Sequence, residues 1–155
     1  WGDEDLWMVP LDGSKPYTYA KSRADERDGM FSPDGRWVAY TSNESGRYEV
    51  FVQSFPEAGG RRYPVSSQGG LNPAWRHDGK ELFYVAGEGR LMAVPVTGGA
   101  ARLEFGRAES LFPMAPGRIF RQYETSHDGQ RILMTTPVGG AAITLLLNWR
   151  RALEQ

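Results

Sequence analysis

The stretch Ser32-Pro33-Asp34-Gly35-Arg36-Trp37-Val38-Ala39-Tyr40 is written three times in this chain. It returns as Arg76-His77-Asp78-Gly79-Lys80-Glu81-Leu82-Phe83-Tyr84, and again as Ser126-His127-Asp128-Gly129-Gln130-Arg131-Ile132-Leu133-Met134. Each copy is an Asp-Gly pair, a polar residue or two, and an apolar run. Asp-Gly is a hairpin-turn pair: the aspartate bonds its own backbone and the glycine takes positive φ. A repeat of this kind fixes architecture far better than it fixes activity.

Outward from these turns the chain reads as short strands separated by Gly, Pro, Asn and Asp. Before the first copy, Leu6–Leu11 and Tyr17–Tyr19 are predicted strands, and the charged stretch Lys21–Asp28 a loop. Arg36–Ser42 follows with Trp37 and Ala39 on one face. Then come Tyr48–Phe55, with Val50 and Val52 facing opposite to Phe51, and Arg62–Ser66. The pattern restarts at Pro73-Ala74-Trp75-Arg76, continues through Glu81–Ala86 and Leu91–Val96, passes a longer loop opened by Gly98-Gly99, and reaches a fourth strand at Glu109–Phe112. The last copy offers Phe120–Ser126, Arg131–Thr136 and Ile143–Trp149, with no fourth strand; Arg150–Gln155 is a polar tail. The turn aspartates stand 44 and then 50 residues apart. A period near 45 with four short strands per unit marks a propeller blade. A helical repeat of similar length fails, because the apolar runs are short, β-branched or aromatic, and broken by Gly and Pro.

Composition agrees with a globular chain and excludes several classes of function. The 155 residues suffice for one domain with a sizeable core. The formal net charge of −1 lacks the basic excess of nucleic-acid binders. No cysteine is present, which removes disulfides, thiolate metal sites and a cysteine nucleophile. The longest apolar run, Ala141–Leu147, is too short to span a bilayer. The acidic start, Trp1-Gly2-Asp3-Glu4-Asp5, has neither an initiator Met nor a signal-peptide pattern and reads as the edge of a longer protein.

Phe31-Ser32-Pro33-Asp34-Gly35-Arg36-Trp37-Val38-Ala39-Tyr40-Thr41-Ser42 resembles the WD40-like PD40 β-propeller repeat of TolB-like proteins. The second and third copies are degenerate, with His77 and His127 in place of the proline. Three segments as a set resemble the C-terminal part of the propeller attached to bacterial serine/threonine protein kinases. They are Tyr40–Val50, Asp78–Tyr84 and Leu146-Leu147-Asn148-Trp149. The resemblance implies a propeller fold, a binding or sensing role, no catalytic residue in this segment, and a periplasmic or otherwise extracytoplasmic place.

The expected fold is therefore all-β, a partial β-propeller of about three four-stranded antiparallel blades. The expected division is a blade remnant at 5–20, blades at 28–66 and 72–112, an incomplete blade at 119–149 and a tail at 150–155. This is about half of a six-bladed ring. Burial is worth roughly 25 cal/mol per Å² of apolar surface, so an uncovered blade face of several hundred Å² forfeits on the order of 10 kcal/mol. That rivals the stability of a whole domain. Self-association as a homodimer that completes the ring is the expected remedy.

Of the residues that can carry chemistry, Asp34, Asp78 and Asp128 read as turn formers. His77 and His127 also read as turn residues: a metal site needs three or more converging ligands and no third candidate repeats with them. A pH-sensing role has no positive support in the sequence alone. The acidic groups Asp3-Glu4-Asp5 and Asp25-Glu26…Asp28 do not match an EF-hand spacing and read as solvated loops. Trp37, Trp75, Trp149, Phe31, Phe51, Phe83 and Tyr84 read as core between blades rather than a stacking platform. Asn43-Glu44-Ser45 fits a glycosylation sequon, a three-letter match common by chance. No Gly-x-Ser-x-Gly elbow, phosphate-binding loop or His-Glu-x-x-His helix occurs. No cofactor is expected. The expected function is a non-catalytic scaffold or sensor that binds a protein or small ligand through loops at one end of the ring, with Arg47, Arg61, Arg76, Arg90 and Arg118 on the candidate surface. No nucleic acid and no membrane insertion are expected. The alternative is the propeller accessory of a prolyl-oligopeptidase-like serine peptidase.

Overall fold

Each Asp-Gly pair closes a hairpin. Gly35, Gly79 and Gly129 have φ of 68°, 72° and 65°, and their amides donate to the carbonyls of Ser32, Arg76 and Ser126 at 2.9 Å. The aspartate carboxylates accept the amides of Arg36, Lys80 and Gln130, two residues on, at 3.0–3.1 Å. These turns punctuate a computed structural model that describes residues 4–56, 60–114 and 123–135.

The described residues form strands and no helix. β1 (Leu6–Met8) pairs with β2 (Tyr17–Ala20). The first full sheet is the antiparallel meander β3 (Glu26–Phe31), β4 (Trp37–Ser42), β5 (Glu49–Ser54) and β6 (Arg62–Pro64). The second has β7 (Gly70–Trp75), β8 (Glu81–Ala86), β9 (Arg90–Gly98), β10 (Leu103–Phe105) and β11 (Glu109–Pro113). β12 (Tyr123–Thr125) and β13 (Ile132–Met134) form a third. The expected strand at 143–149, the tail, the Leu146–Trp149 segment, Trp149 and Arg118 lie outside the described residues.

The sheets stack through three apolar layers. Trp37, Ala39, Val50 and Val52 of the first sheet meet Leu82, Tyr84, Val94 and Val96 of the second. The opposite face of the first sheet, with Val38, Tyr40 and Phe51, packs on Tyr19 and Ala20 of β2. The opposite face of the second, with Ala74, Phe83, Leu91 and Ala93, packs on Tyr123. A strand covered on both sides cannot alternate apolar and polar residues, which is why all six residues of β4 are buried. The architecture is that of a partial β-propeller.

Three expected boundaries change. Lys21–Asp28 is not wholly loop: β3 begins at Glu26, whose carboxylate is buried. It accepts the Ser22 hydroxyl at 2.6 Å and the Ser42 hydroxyl at 3.3 Å, so the carboxylate enters the interior hydrogen-bonded. The stretch after Gly98-Gly99 is not an extended loop. Gly98 takes φ 105° and the chain returns at once as β10, with Leu103 opposite Gly98. β9 is long enough to pair with β10 near its end and with β11 near its start. The first strand stops at Met8 rather than Leu11, where Pro10 and the turn bonded by Asp12 Oδ1 to the Ser14 amide end the pairing.

Both full sheets carry a bulge in their first strand, between Arg27 and Met30 and between Leu71 and Ala74. Asp28 and Asn72 sit in these bulges with φ of 58° and 53°. They stand 44 residues apart, the same interval as the first two turn aspartates. Asp and Asn are the non-glycine residues that tolerate this conformation best.

Candidate functional site

The meander places the turns 32–36, 76–80 and 126–130 at one end of the stacked sheets, together with the β5–β6 and β9–β10 connections. The β4–β5 and β8–β9 turns and the crossings between sheets lie at the other end. Of the expected arginines, Arg47 and Arg90 belong to the second end, Arg61 and Arg76 to the first. Arg47 Nε pairs with Glu49 at 2.9 Å and its Nη2 donates to the Ser67 carbonyl at 3.0 Å. Arg90 Nε donates to Ser110 Oγ at 2.5 Å. Arg61 Nη1 donates to the Ala101 carbonyl at 2.8 Å, tying successive β-connections together. Arg76 bridges Asp78 and Glu81, each at 2.6 Å. Each of these four guanidinium groups has a partner within the fold.

The turn aspartates are engaged as well. Asp34 Oδ1 accepts the Ser32 hydroxyl at 2.6 Å, and Asp128 Oδ1 the Ser126 hydroxyl at 2.5 Å. The Arg76 guanidinium holds the Asp78 carboxyl down at about 2. The Ser126 hydroxyl and the Gln130 amide hold Asp128 below the usual carboxylate range. Asp78 and Asp128, held low, serve as acceptors and not as proton donors near neutral pH. Glu4 and the acidic stretch 25–28 are not simply solvated. Arg27 pairs with Glu4 at 3.4 Å and Asp25 at 3.0 Å, and Asp25 Oδ2 accepts the Tyr48 hydroxyl at 2.8 Å. The Tyr48 hydrogen bond is the largest force holding Asp25 below its ordinary value. Among the described residues no three His, Asp or Glu side chains converge as a metal site.

The sequence missed two cavities at the turn end. One, of about 420 Å³, lies between the first two sheets with Asp34, Trp37, Trp75, Asp78 and Lys80 in its wall. The other, of about 480 Å³, opens toward the third sheet and is walled by Phe31, Pro33, Trp75, His77, Glu124 and His127. Trp75 stands between them, its indole donating to the Met30 carbonyl at 3.3 Å. Trp37, Phe51, Phe83, Tyr84 and Trp75 are buried between sheets. Phe31, expected in the core, is half exposed and meets Phe55 edge-on at 5.0 Å. The signal for these cavities was the repeat itself: equal turns on successive blades must stand side by side. Asn43 of the sequon is occupied within the fold, its Oδ1 accepting the Asp25 amide at 3.0 Å. His77 and His127, separate turn residues in the sequence, touch, with ring centroids 3.6 Å apart.

No model of a known protein family matches the chain. Over 108 residues it is 31% identical to Tricorn protease homolog 1 of Streptomyces coelicolor, a match over 64% of this chain and 10% of that protein. Over 69 residues it is 41% identical to the Tol-Pal system protein TolB of Pseudomonas aeruginosa, covering 44% of this chain and 16% of TolB. The matches thus span about a tenth to a sixth of these relatives. Among solved structures, TolB from Acinetobacter baumannii superposes with a TM-score of 0.51 at 20% identity, over 88% of this chain and 44% of that one. A Bacteroides uniformis protein described as a 6-phosphogluconolactonase gives a TM-score of 0.55 at 16% identity, over 83% and 39%. These likenesses place the fold among β-propellers and the sequence near TolB-like ones.

Proposed function

We propose that this propeller segment is a non-catalytic binding module that receives a protein or small ligand at the Asp-Gly-turn end. The observation that carries the reading is the pair of cavities sharing Trp75 and walled by aromatic side chains, the first also by Asp34 and Asp78, whose carboxylates are committed to turn and ion-pair bonds. Apolar concavities with a few fixed polar groups suit recognition, whereas a general acid needs a labile proton. Similarity to TolB supports an extracytoplasmic place. The resemblance of Tyr40–Val50 and Asp78–Tyr84 to kinase-attached propellers makes the sensor of a signalling kinase the finer form of this reading.

A test titrates short peptides and phosphorylated sugars against the chain, read by tryptophan fluorescence and by chromatography for turnover. Saturable binding that Phe31→Ala weakens at least tenfold, with no turnover, is the expected result. Turnover of any compound by the chain itself overturns the reading. A second reading, the propeller accessory of a peptidase, rests on the 31% identity to the tricorn protease homologue. It predicts that peptides alone bind, and that a hydrolase domain accompanies this segment in the full-length protein.

A further inference from the structure

We propose that His77 and His127 form a proton-sensitive latch between the second and third sheets, and that the cavity beside them opens when both imidazoles are protonated. This inference needs no ligand and stands apart from the binding reading. The two residues are the only histidines of the chain. They occupy the same place in successive repeats, one residue before the turn aspartate, and their rings meet at 3.6 Å with planes inclined by 41°.

Among the described residues, other contacts also join the third sheet to the second. Gly129 lies so close over the Arg76 stem that a Cβ there would stand 2.5 Å from Arg76 Cδ. Thr125 Oγ1 reaches the Trp75 carbonyl at 3.4 Å, and Tyr123 donates to the Asn72 carbonyl at 2.8 Å deeper in the stack. Neutral imidazoles tolerate such contact; two imidazolium rings repel. Charged groups also face the pair, most of them engaged with one another. On the second sheet are Arg76, Asp78, Lys80 and Glu81, with both carboxylates bound by Arg76. On the third are Asp128 and Arg131, which face each other at 3.7 Å, and Glu124 in the cavity wall. The first sheet contributes Met30, Phe31 and Pro33 to that wall and no charge. Protonation of both rings therefore drives the turn 126–130 away from the turn 76–80 and widens the cavity between Trp75 and Thr125.

Amide hydrogen exchange of the whole chain at pH 7.5 and pH 5.0, with chelator present to exclude metal binding, tests the latch. After correction for intrinsic exchange rates, the amides of β12, β13 and the turn 126–130 are expected to lose at least tenfold protection at pH 5.0, while those of β4 and β5 keep theirs. His77→Gln and His127→Gln are each expected to abolish the loss. Unchanged protection in the natural chain overturns the proposal. So does a loss that persists in both variants, or one that spreads equally to β4 and β5. Should a variant fail to protect β4 and β5 at pH 7.5, the natural chain decides alone. Its loss must then follow the imidazole ring-proton shifts through the same pH interval, and a loss that follows carboxylate protonation at lower pH overturns the latch.

Discussion

Asp28 and Asn72 hold the same bulge in successive repeats, yet only one can carry a charge. Burial pushes the Asp28 carboxyl up, against the opposing pull of the Asn72 amide. A carboxyl raised in the folded state makes folding less favourable once pH exceeds its unfolded value. Asp28→Asn is therefore expected to raise the urea midpoint at pH 7, with the gain vanishing near pH 3, where both states hold the proton. Asn also suits the positive φ. The Asp78 carboxyl moves the other way, lowered to about 2 by Arg76. Its contribution is present above the ordinary carboxylate range and lost as pH falls through about 2. The stability difference between the natural chain and Asp78→Asn should accordingly shrink between pH 5 and pH 2. Gly70 poses a steric question. A Cβ there would lie 2.5 Å from Ser66 Oγ and 3.0 Å from Val50 Cγ2. Gly70→Ala is expected to cost about 1–3 kcal/mol in urea unfolding.

At the scale of elements, tyrosines join sheet to sheet. Tyr19 of β2 donates to the Ser54 carbonyl of β5 at 2.7 Å, and burial pushes its hydroxyl well above the ordinary range, so it stays a donor. Tyr19→Phe should destabilise the chain by about 1 kcal/mol, read by thermal or urea unfolding. The strands at 37–42, 49–54 and 81–86 were legible as short apolar runs bounded by turn residues, because local chemistry alone makes a hairpin. The start of β3 was not. Glu26 looks solvated in the sequence and is buried only because Ser22 and Ser42 meet it, a tertiary fact. β10 was hidden because Arg102-Leu103-Glu104-Phe105 is too short to show a period, and its partner is the far end of β9. For the arginines, charge and loop position were visible in the sequence, but not that Arg47, Arg61, Arg76 and Arg90 each have a partner within the fold. The histidine contact was implicit in the repeat, since both rings occupy one repeat position, although no local pattern gives their distance.

Across the whole molecule, Trp7, Val9 and Leu11 of the amino-terminal segment stand exposed, Trp7 by 58% and Val9 by 65%, while Leu6 and Met8 pack inward. We propose that this apolar stripe takes part in self-association of the chain into a homodimer. Light scattering should give twice the chain mass, and Trp7→Glu with Val9→Glu should return the monomer; a monomer in the natural chain at high concentration counts against the dimer. The crossings between sheets carry a different consequence. At the entry to the first sheet, Ser22 is held by Glu26 from the strand that follows it. Forty-four residues on, Ser66 is held by Glu49 from the sheet that precedes it, and Gly70 stands where Glu26 stood. Successive units are thus complementary neighbours rather than copies. A gene in which the first unit was duplicated in tandem would bring both carboxylates to one serine, with the room left by Gly70 gone.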